Sequence, residues 1–434
     1  GINIASNGAK EHILEYTVKQ YAEKGKTQLI LCYGKGTAGN TAKKIAQWAD
    51  YSNPSEEVEL VRKYMDEEIG EPTLFTNILS KGITVHHAGL SDESKLLIEH
   101  LIRNKQIQYV CATSTIAEGV NFPISSVYFD SYRKGDIQLS ANDFWNIAGR
   151  AGRTMIDEYG KIILPFNSDK NKEKGLSLIQ KSAEQITSVL AKLFDDADTI
   201  IKIMTQDPKG INFLLNNNEY KDSFGPLFQY FIHVLNVGQN EYYQDVVDIF
   251  KDSLEYNLLE NQSQKEKFID LCSLIYESID KKYNNHSILK YADKTGFSVP
   301  SVLKIMYEKS EKSNDRDLMN WEPDAVFNRM DSNNLKKKIE IIGALKETGL
   351  GTDERISSFN PEYVAKMIIG WVRGDKYNAL STIHPHFRNE EELDKRLADF
   401  ITYMNGMRFK SSWGLSALEG IVKGNEDEIK DSYI

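Results

Sequence analysis

Several things are scarce in this chain, and each scarcity excludes something. Only three cysteines occur in 434 residues, Cys32, Cys111 and Cys272. They are scattered, so they make neither a disulfide framework nor a zinc-ligand spacing. No apolar run approaches the roughly 18–20 residues needed to cross a bilayer. The opening Gly-Ile-Asn-Ile-Ala-Ser-Asn-Gly has no basic stretch ahead of an apolar core, so no signal peptide is read there. A cytoplasmic protein with no membrane partner is the resulting expectation. Positive charge is not in excess either. The net charge of -10 argues against a protein that coats nucleic acid with its whole surface, but not against a locally basic channel. Internal repeats and low-complexity tracts are missing.

What is present fits a soluble globular chain of two or three domains, 41% apolar and 27% charged. The first part alternates strand and helix signals. Thr27–Tyr33, Ile83–His87, Gln108–Ala112, Ser126–Asp130 and Gly160–Leu164 read as short strands. Ala9–Lys24, Thr41–Trp48, Glu56–Gly70, Ser91–Asn104 and Leu139–Ala151 read as helices, with Ser91 as an N-cap. This alternation predicts an α/β domain with a doubly wound parallel sheet. After about residue 167 helical periodicity dominates, for example in Leu176–Leu193, Tyr243–Leu259, Lys265–Lys281 and Leu335–Lys346. The expected domains are 1–168 (α/β), 169–285 (helical) and 286–434 (helical accessory).

Three blocks in the first part carry chemistry. Asn146-Ile-Ala-Gly149-Arg150-Ala-Gly-Arg153 places two arginines three residues apart, each after a glycine. Arginine forks onto phosphate oxygens, and glycine permits close backbone approach. In phosphoryl transfer such arginines stabilise charge on the γ-phosphate. The second block, Val110–Pro123, sets Thr113 and Ser114 directly after a buried strand, where hydroxyls and amides are placed to hold phosphates. Glu118, Gly119 and Asn121 follow with an acceptor, a flexible point and an amide. The third block is His86-His87-Ala88-Gly89-Leu90. Neighbours on a strand point to opposite faces, so the two histidines do not easily share a metal ion. One packed imidazole and a Gly89 backbone lying against phosphate is the expectation. Gly34-Lys35-Gly36-Thr37-Ala38-Gly39 has the Gly-x-Gly-x-x-Gly spacing but not the order of a P-loop.

Taken together, His86–Leu90, Cys111–Pro123 and Asn146–Arg153 resemble motifs of superfamily 2 helicases, above all the superkiller-type subfamily. The resemblance covers roughly residues 1–168 and implies a second RecA-like motor domain. It implies that Thr113 and Ser114 contact the nucleic-acid backbone, and His87 and Gly89 are assigned to the same side. It further implies that Glu118, Gly119, Asn121, Asn146 and Gly149 lie near nucleotide, and that Arg150 and Arg153 reach ATP bound on the first motor domain. The family has Gln where this chain has Asn146. The phosphate-cradling lysine loop and the Asp-Glu pair that holds Mg2+ belong to that first domain, and neither is found here.

The expectation is therefore the C-terminal motor half of an ATP-dependent helicase, moving 3′ to 5′ on single-stranded or tailed duplex nucleic acid. ATP and Mg2+ would be bound mainly by the missing N-terminal motor domain, and the fragment alone would be inactive. The alternative is a non-catalytic binding module derived from a helicase. In the subfamily a winged-helix domain and a helical ratchet domain follow the motor. Ala292-x-x-x-Gly296-x-Ser298-x-x-x-Val302 has helix-turn-helix spacing, and an ordinary helical hairpin has it too. Met404–Gly424, with Arg408, Lys410 and Trp413, is either a ratchet-like surface on which bases stack or plain core. Trp371–Gly374 reads as packing. DNA versus RNA, and oligomeric state, are not legible.

Overall fold

Every residue of Thr27–Leu31 (β1) is buried, as a strand with cover on both faces must be, and the polar Thr27 and Gln28 side chains donate to the Ile107 and Val18 carbonyls. The other strands are Ile83–His86 (β2), Tyr109–Ala112 (β3), Ile124–Phe129 (β4), the two-residue β5 (Arg133–Lys134) and β6 (Ile137–Gln138), and Lys161–Ile163 (β7). In this computed structural model β5 and β6 pair antiparallel, while the rest form one parallel sheet in the order β2-β3-β1-β4-β7. Leu29 is the pivot of the register, opposite Val110 on one side and Val127 on the other. All five main strands lie where the sequence places them. The structure describes residues 9–21, 26–49, 54–117, 122–134, 137–152, 159–166, 168–180, 189–207, 209–238, 243–259, 261–282, 286–353, 355–356 and 358–424.

The helices between these strands are Ala9–Gln20 (α1), Lys35–Trp48 (α2), Glu56–Ile69 (α3), Leu74–Asn77 (α4), Asp92–Arg103 (α5) and Ala141–Ala148 (α6). Their ends follow local chemistry. Ser55 accepts from the Val58 amide to start α3, and three glutamates sit in its first turn, at the positive end of the helix dipole. Gly70 ends α3 in the left-handed region (φ 101°), where a side chain is strained. Ser91 caps α5 and Ser140 caps α6, each accepting from the amide three residues on. The start of α2 departs from expectation. It begins at Lys35, not Thr41, so the glycine-rich Gly34–Gly39 stretch is the first turns of a helix and not a loop.

After β7 every regular element among the described residues is a helix. The predicted Leu176–Leu193 helix overlaps Asp169–Gln180 and Val189–Gln206, its middle lying outside the described residues, and Lys265–Lys281 extends to Gln262–Lys282. Among the described residues no helix is long and apolar enough to cross a membrane.

The chain folds as two compact units, Gly1–Glu184 with Phe327–Ser332 and Glu354–Phe409, and Gln185–Val326 with Asn333–Asp353 and Lys410–Ile434. The linear boundaries read from the sequence, at 168 and 285, do not follow this division, because the chain returns to the first unit twice. The 31-residue helix Leu393–Lys423 contributes its residues up to Phe409 to the first unit and the rest to the second. In the first unit the core is the sheet with Ile30, Val110, Val127, Phe129 and Phe144, all buried. In the second unit Phe194 meets Phe268 edge-on at 4.6 Å, and Leu271, Cys272 and Ile275 line the same buried helix face.

The helix-turn-helix spacing is realised in the second unit. His286–Thr295 ends, Gly296 takes φ +70°, and Val299–Glu311 begins with Ser298 as N-cap residue and Pro300 in its first turn. Ala292, Phe297 and Val302 are fully buried anchors. Glu347 accepts from the Ser298 amide at 2.9 Å and from Ser301 Oγ at 2.8 Å, so a carboxylate already occupies the start of the second helix. No strand accompanies this pair among the described residues of the unit.

Candidate nucleotide and nucleic-acid site

Because the main sheet is parallel, the carboxyl ends of its strands share one edge, the usual place for ligands in an open α/β sheet. Three of the blocks singled out in the sequence lie along that edge: Gly34–Lys35 after β1, His87–Leu90 after β2 and Thr113–Ser114 after β3. The Asn146–Arg150 block ends α6 and leads to Ala151 beside Ile124, the first residue of β4, at the amino end of the strands.

Thr113 leaves β3 half-buried, and its amide donates to the His86 carbonyl at 3.2 Å. A single 3-10 turn, Ser114–Ala117, follows, anchored by the buried Ile116. Helix α6, which leads into the arginine block, packs against this turn. Glu118, Gly119 and Asn121 lie outside the described residues, as does Arg153.

On α6, Asn146 is exposed. Gly149 ends the helix with its amide donating to the Trp145 carbonyl at 2.8 Å. Arg150 is half-buried in the turn that follows, its amide on the Ile147 carbonyl at 3.0 Å. Ala151 then bridges to Ile124 as if extending the sheet. Gly152 has φ +77°, its amide bonds the Ile124 carbonyl at 2.9 Å, and a Cβ there would lie 2.7 Å from the Gly160 nitrogen. The close approach that this glycine permits is therefore to another backbone segment of the same unit.

The His86–Leu90 block is more enclosed than expected. The two imidazoles do face opposite ways. His86 Nε2 lies 3.2 Å from Glu99 Oε1, and Arg103 reaches the other oxygen of Glu99 at 3.2 Å. His87 turns to Phe75, with ring centroids 5.6 Å apart, and its Nδ1 accepts from the Gly89 amide at 3.1 Å. Both rings are buried, not one. Burial, together with the charge on Lys35, holds His87 down at about 3. Burial also lowers His86, against the pull of Glu99. His87 is thus neutral, with the proton on Nε2. Among the described residues no group of three or more His, Cys, Asp or Glu is placed to hold a metal ion.

Gly89 also has a packing role that the sequence did not suggest. A Cβ on Gly89 would lie 2.7 Å from the Ala398 carbonyl oxygen, so the glycine admits the backbone of the Leu393–Phe409 stretch. Lys35, in the Gly-x-Gly-x-x-Gly stretch, donates to Asp399 Oδ1 at 2.7 Å and Thr402 Oγ1 at 3.0 Å. Arg408 stacks on Trp371 at 4.8 Å and bonds Asp92 Oδ2 at 3.1 Å. In the second unit Trp413 is half-buried, its indole N–H donates to the Thr295 carbonyl at 2.7 Å, and its ring meets Phe297 edge-on at 4.9 Å. Arg408 and Trp413 are thereby each held by contacts within their own unit. Sequence reasoning missed Asn405, Asp399 and Asp394. Nothing in the local sequence marks them out from the other polar residues of this helix.

The donors are the hydroxyls and amides at the carboxyl edge of the sheet, and an asparagine and a guanidinium at the end of α6. That set suits phosphate oxygens and not a metal ion.

The chain is similar to known proteins over part of its length. Hachiman protein HamB of Bacillus cereus is 39% identical over 106 residues, 24% of this chain and 10% of that protein. ATP-dependent DNA helicase Hel308 of Methanococcus vannielii is 28% identical over 195 residues, 42% of this chain and 25% of that protein. ATP-dependent DNA helicase homolog MER3 of Arabidopsis thaliana is 30% identical over 162 residues, 34% of this chain and 14% of that protein. The last two are superfamily 2 helicases, and this chain is homologous to that superfamily. Its matches span from a tenth to a quarter of the length of these relatives. No family model matches the chain.

Proposed function

We propose, with homology to superfamily 2 helicases as the premise, that this chain is the C-terminal motor half of an ATP-dependent nucleic-acid helicase with a helical accessory region. Residues 1–168 act as the second RecA-like motor domain. ATP, with Mg2+, is held mainly by another motor domain, and this half completes the site from the far side. Arg150 and Arg153 reach the γ-phosphate, while Asn146, Gly149, Glu118, Gly119 and Asn121 line the nucleotide side of the seam.

Thr113 and Ser114 take the strand. Closure of the two motor domains sets the arginines on phosphate and the hydroxyls on the nucleic-acid backbone, and hydrolysis releases both. The arginines stabilise charge as the terminal phosphoryl group moves to water. They carry no proton in that step, because guanidinium stays charged. By itself the chain does not turn over ATP.

The observation that carries this reading is the packing of α6 against the Ser114–Ala117 turn. It ties the helix that leads into the arginine block to the turn that follows Thr113 and Ser114, so a single closing motion can engage nucleotide and strand. The names of the relatives favour ATP-dependent action on DNA. The test is ATP hydrolysis by the full-length protein, with and without single-stranded DNA or RNA. Stimulation by either strand supports the motor. A full-length protein that binds strand without hydrolysing ATP would instead be a helicase-derived binding module.

A further inference from the structure

The turn after β2 is held from a place more than three hundred residues away in sequence. Asn405 Nδ2 donates to the Leu90 carbonyl at 2.9 Å and to the Ala88 carbonyl at 3.4 Å. Around it, the Leu393–Phe409 stretch makes further bonds within the same unit. Lys35 is fixed by Asp399 and Thr402, the Leu74 amide by Asp394 Oδ1 at 3.2 Å, and Asp92 by Arg408 at 3.1 Å. Gly89 has no room for a side chain against Ala398.

The turn leads on to Thr113. Gly89 donates to His87 Nδ1, Leu90 donates to the His87 carbonyl at 3.2 Å, and the carbonyl of the preceding His86 accepts from Thr113 at 3.2 Å. A short bonded path thus runs from Asn405 through Ala88–Leu90 and His87 to the residue that begins the candidate strand grip. Each member is buried or half-buried, so water does not readily replace a lost bond.

We infer that Asn405 is a positioning residue for the Thr113–Ser114 segment, acting through the His87–Leu90 turn and without touching nucleic acid or nucleotide itself. Its effect on strand binding rests on the function proposed above. The clasp itself does not. Asparagine suits the task, since one amide supplies two N–H groups to two carbonyls while its oxygen accepts from Arg408 at 3.3 Å. A carboxylate of the same shape keeps the bond from Arg408 and loses both donations.

The test is Asn405→Asp in the full-length protein, read two ways. Hydrogen exchange without ligand is expected to quicken at the Gly89, Leu90 and Thr113 amides, by about fivefold if one net hydrogen bond is lost. The single-strand concentration that half-saturates ATPase stimulation is expected to rise by a similar factor, about fivefold, with turnover at saturating strand retained. Unchanged exchange at Thr113 overturns the inference, and so does an unchanged half-saturating concentration in a protein that strand does stimulate. If the wild-type protein shows no strand stimulation, the helicase reading fails, and the clasp is judged on exchange alone. Should the aspartate variant not fold, Asn405→Ala removes the donors without adding charge and is read by the same two measurements.

Discussion

Gly152 and Gly160 pass each other backbone to backbone: a Cβ on Gly152 would sit 2.7 Å from the Gly160 nitrogen and 2.8 Å from its Cα. The left-handed φ of Gly152 adds to the cost of any side chain there. Gly152→Ala is expected to destabilise the first unit by about 2 kcal/mol or more, from backbone strain plus overpacking. Urea unfolding of the chain measures it. A loss below about 0.5 kcal/mol, the scale of an indifferent surface change, would mean that the crossing is loose.

The arginine assignment has a kinetic signature. Arg153→Ala in the full-length protein is expected to lower ATP turnover on the order of 10³-fold, as loss of an arginine finger does, with little change in strand affinity. Arg150→Ala is expected to act in the same direction. Turnover within about threefold of wild type, a barrier change under ~1 kcal/mol, would rule out a finger at that position.

For Thr113 the opposite split is expected. Thr113→Val removes the hydroxyl while keeping the shape, and it should weaken single-strand binding by roughly tenfold to a hundredfold, the value of about one hydrogen bond to a charged oxygen. Fluorescence anisotropy with a labelled oligonucleotide reads this directly. Unaltered affinity would move the grip away from this hydroxyl.

His87 gives a pH dependence with a definite sign. Its folded pKa, about 3, lies below the ordinary 6.5. The unfolded chain therefore binds the extra proton first, and stability falls as pH drops below 6.5. The loss is about 1–2 kcal/mol by pH 5.5, and His86 adds to it with the same sign. His87→Asn offers an oxygen in place of Nδ1 and cannot titrate. Its melting temperature should vary less between pH 7.5 and 5.5 than that of wild type, and equal slopes would show that His87 is not the source.

The strands, the caps at Ser91 and Gly70 and the arginine block were legible in the sequence because each depends on residues close together in the chain. Leu29–Leu31 is apolar throughout, so its burial follows from composition, whereas buried Thr27 and Gln28 depend on bonds to the Ile107 and Val18 carbonyls that local sequence does not reveal. Gly34–Gly39 hid the first turns of α2 because glycine spacing does not distinguish a loop from a helix start in which a Cβ on Gly39 would lie 3.3 Å from the Phe75 ring. Gly89 misled for a related reason. The close approach it permits was legible, but the approaching group was not. Ala398 and Asn405 are brought there by tertiary folding, and nothing near residue 89 encodes them. The same limit applies to the two units, whose segments alternate along the chain.

Trp413 separates packing from nucleic-acid contact most cleanly. Its N–H closes the carbonyl end of His286–Thr295, and its ring lies against Phe297, just past the left-handed Gly296. Removing it opens a cavity at a helix-turn-helix corner and leaves the Thr295 carbonyl without its donor. Trp413→Ala is expected to cost about 3–5 kcal/mol, as buried Trp→Ala changes do. Trp413→Phe keeps most of the ring contact but loses the N–H, at about 1 kcal/mol. If Trp413 were a stacking platform for bases, the alanine variant would lose single-strand affinity by about 1–3 kcal/mol per base and phenylalanine would largely restore it. As a packing residue it should leave the affinity of folded molecules unchanged in both variants. Unfolding and anisotropy measured on the same two proteins decide between these outcomes.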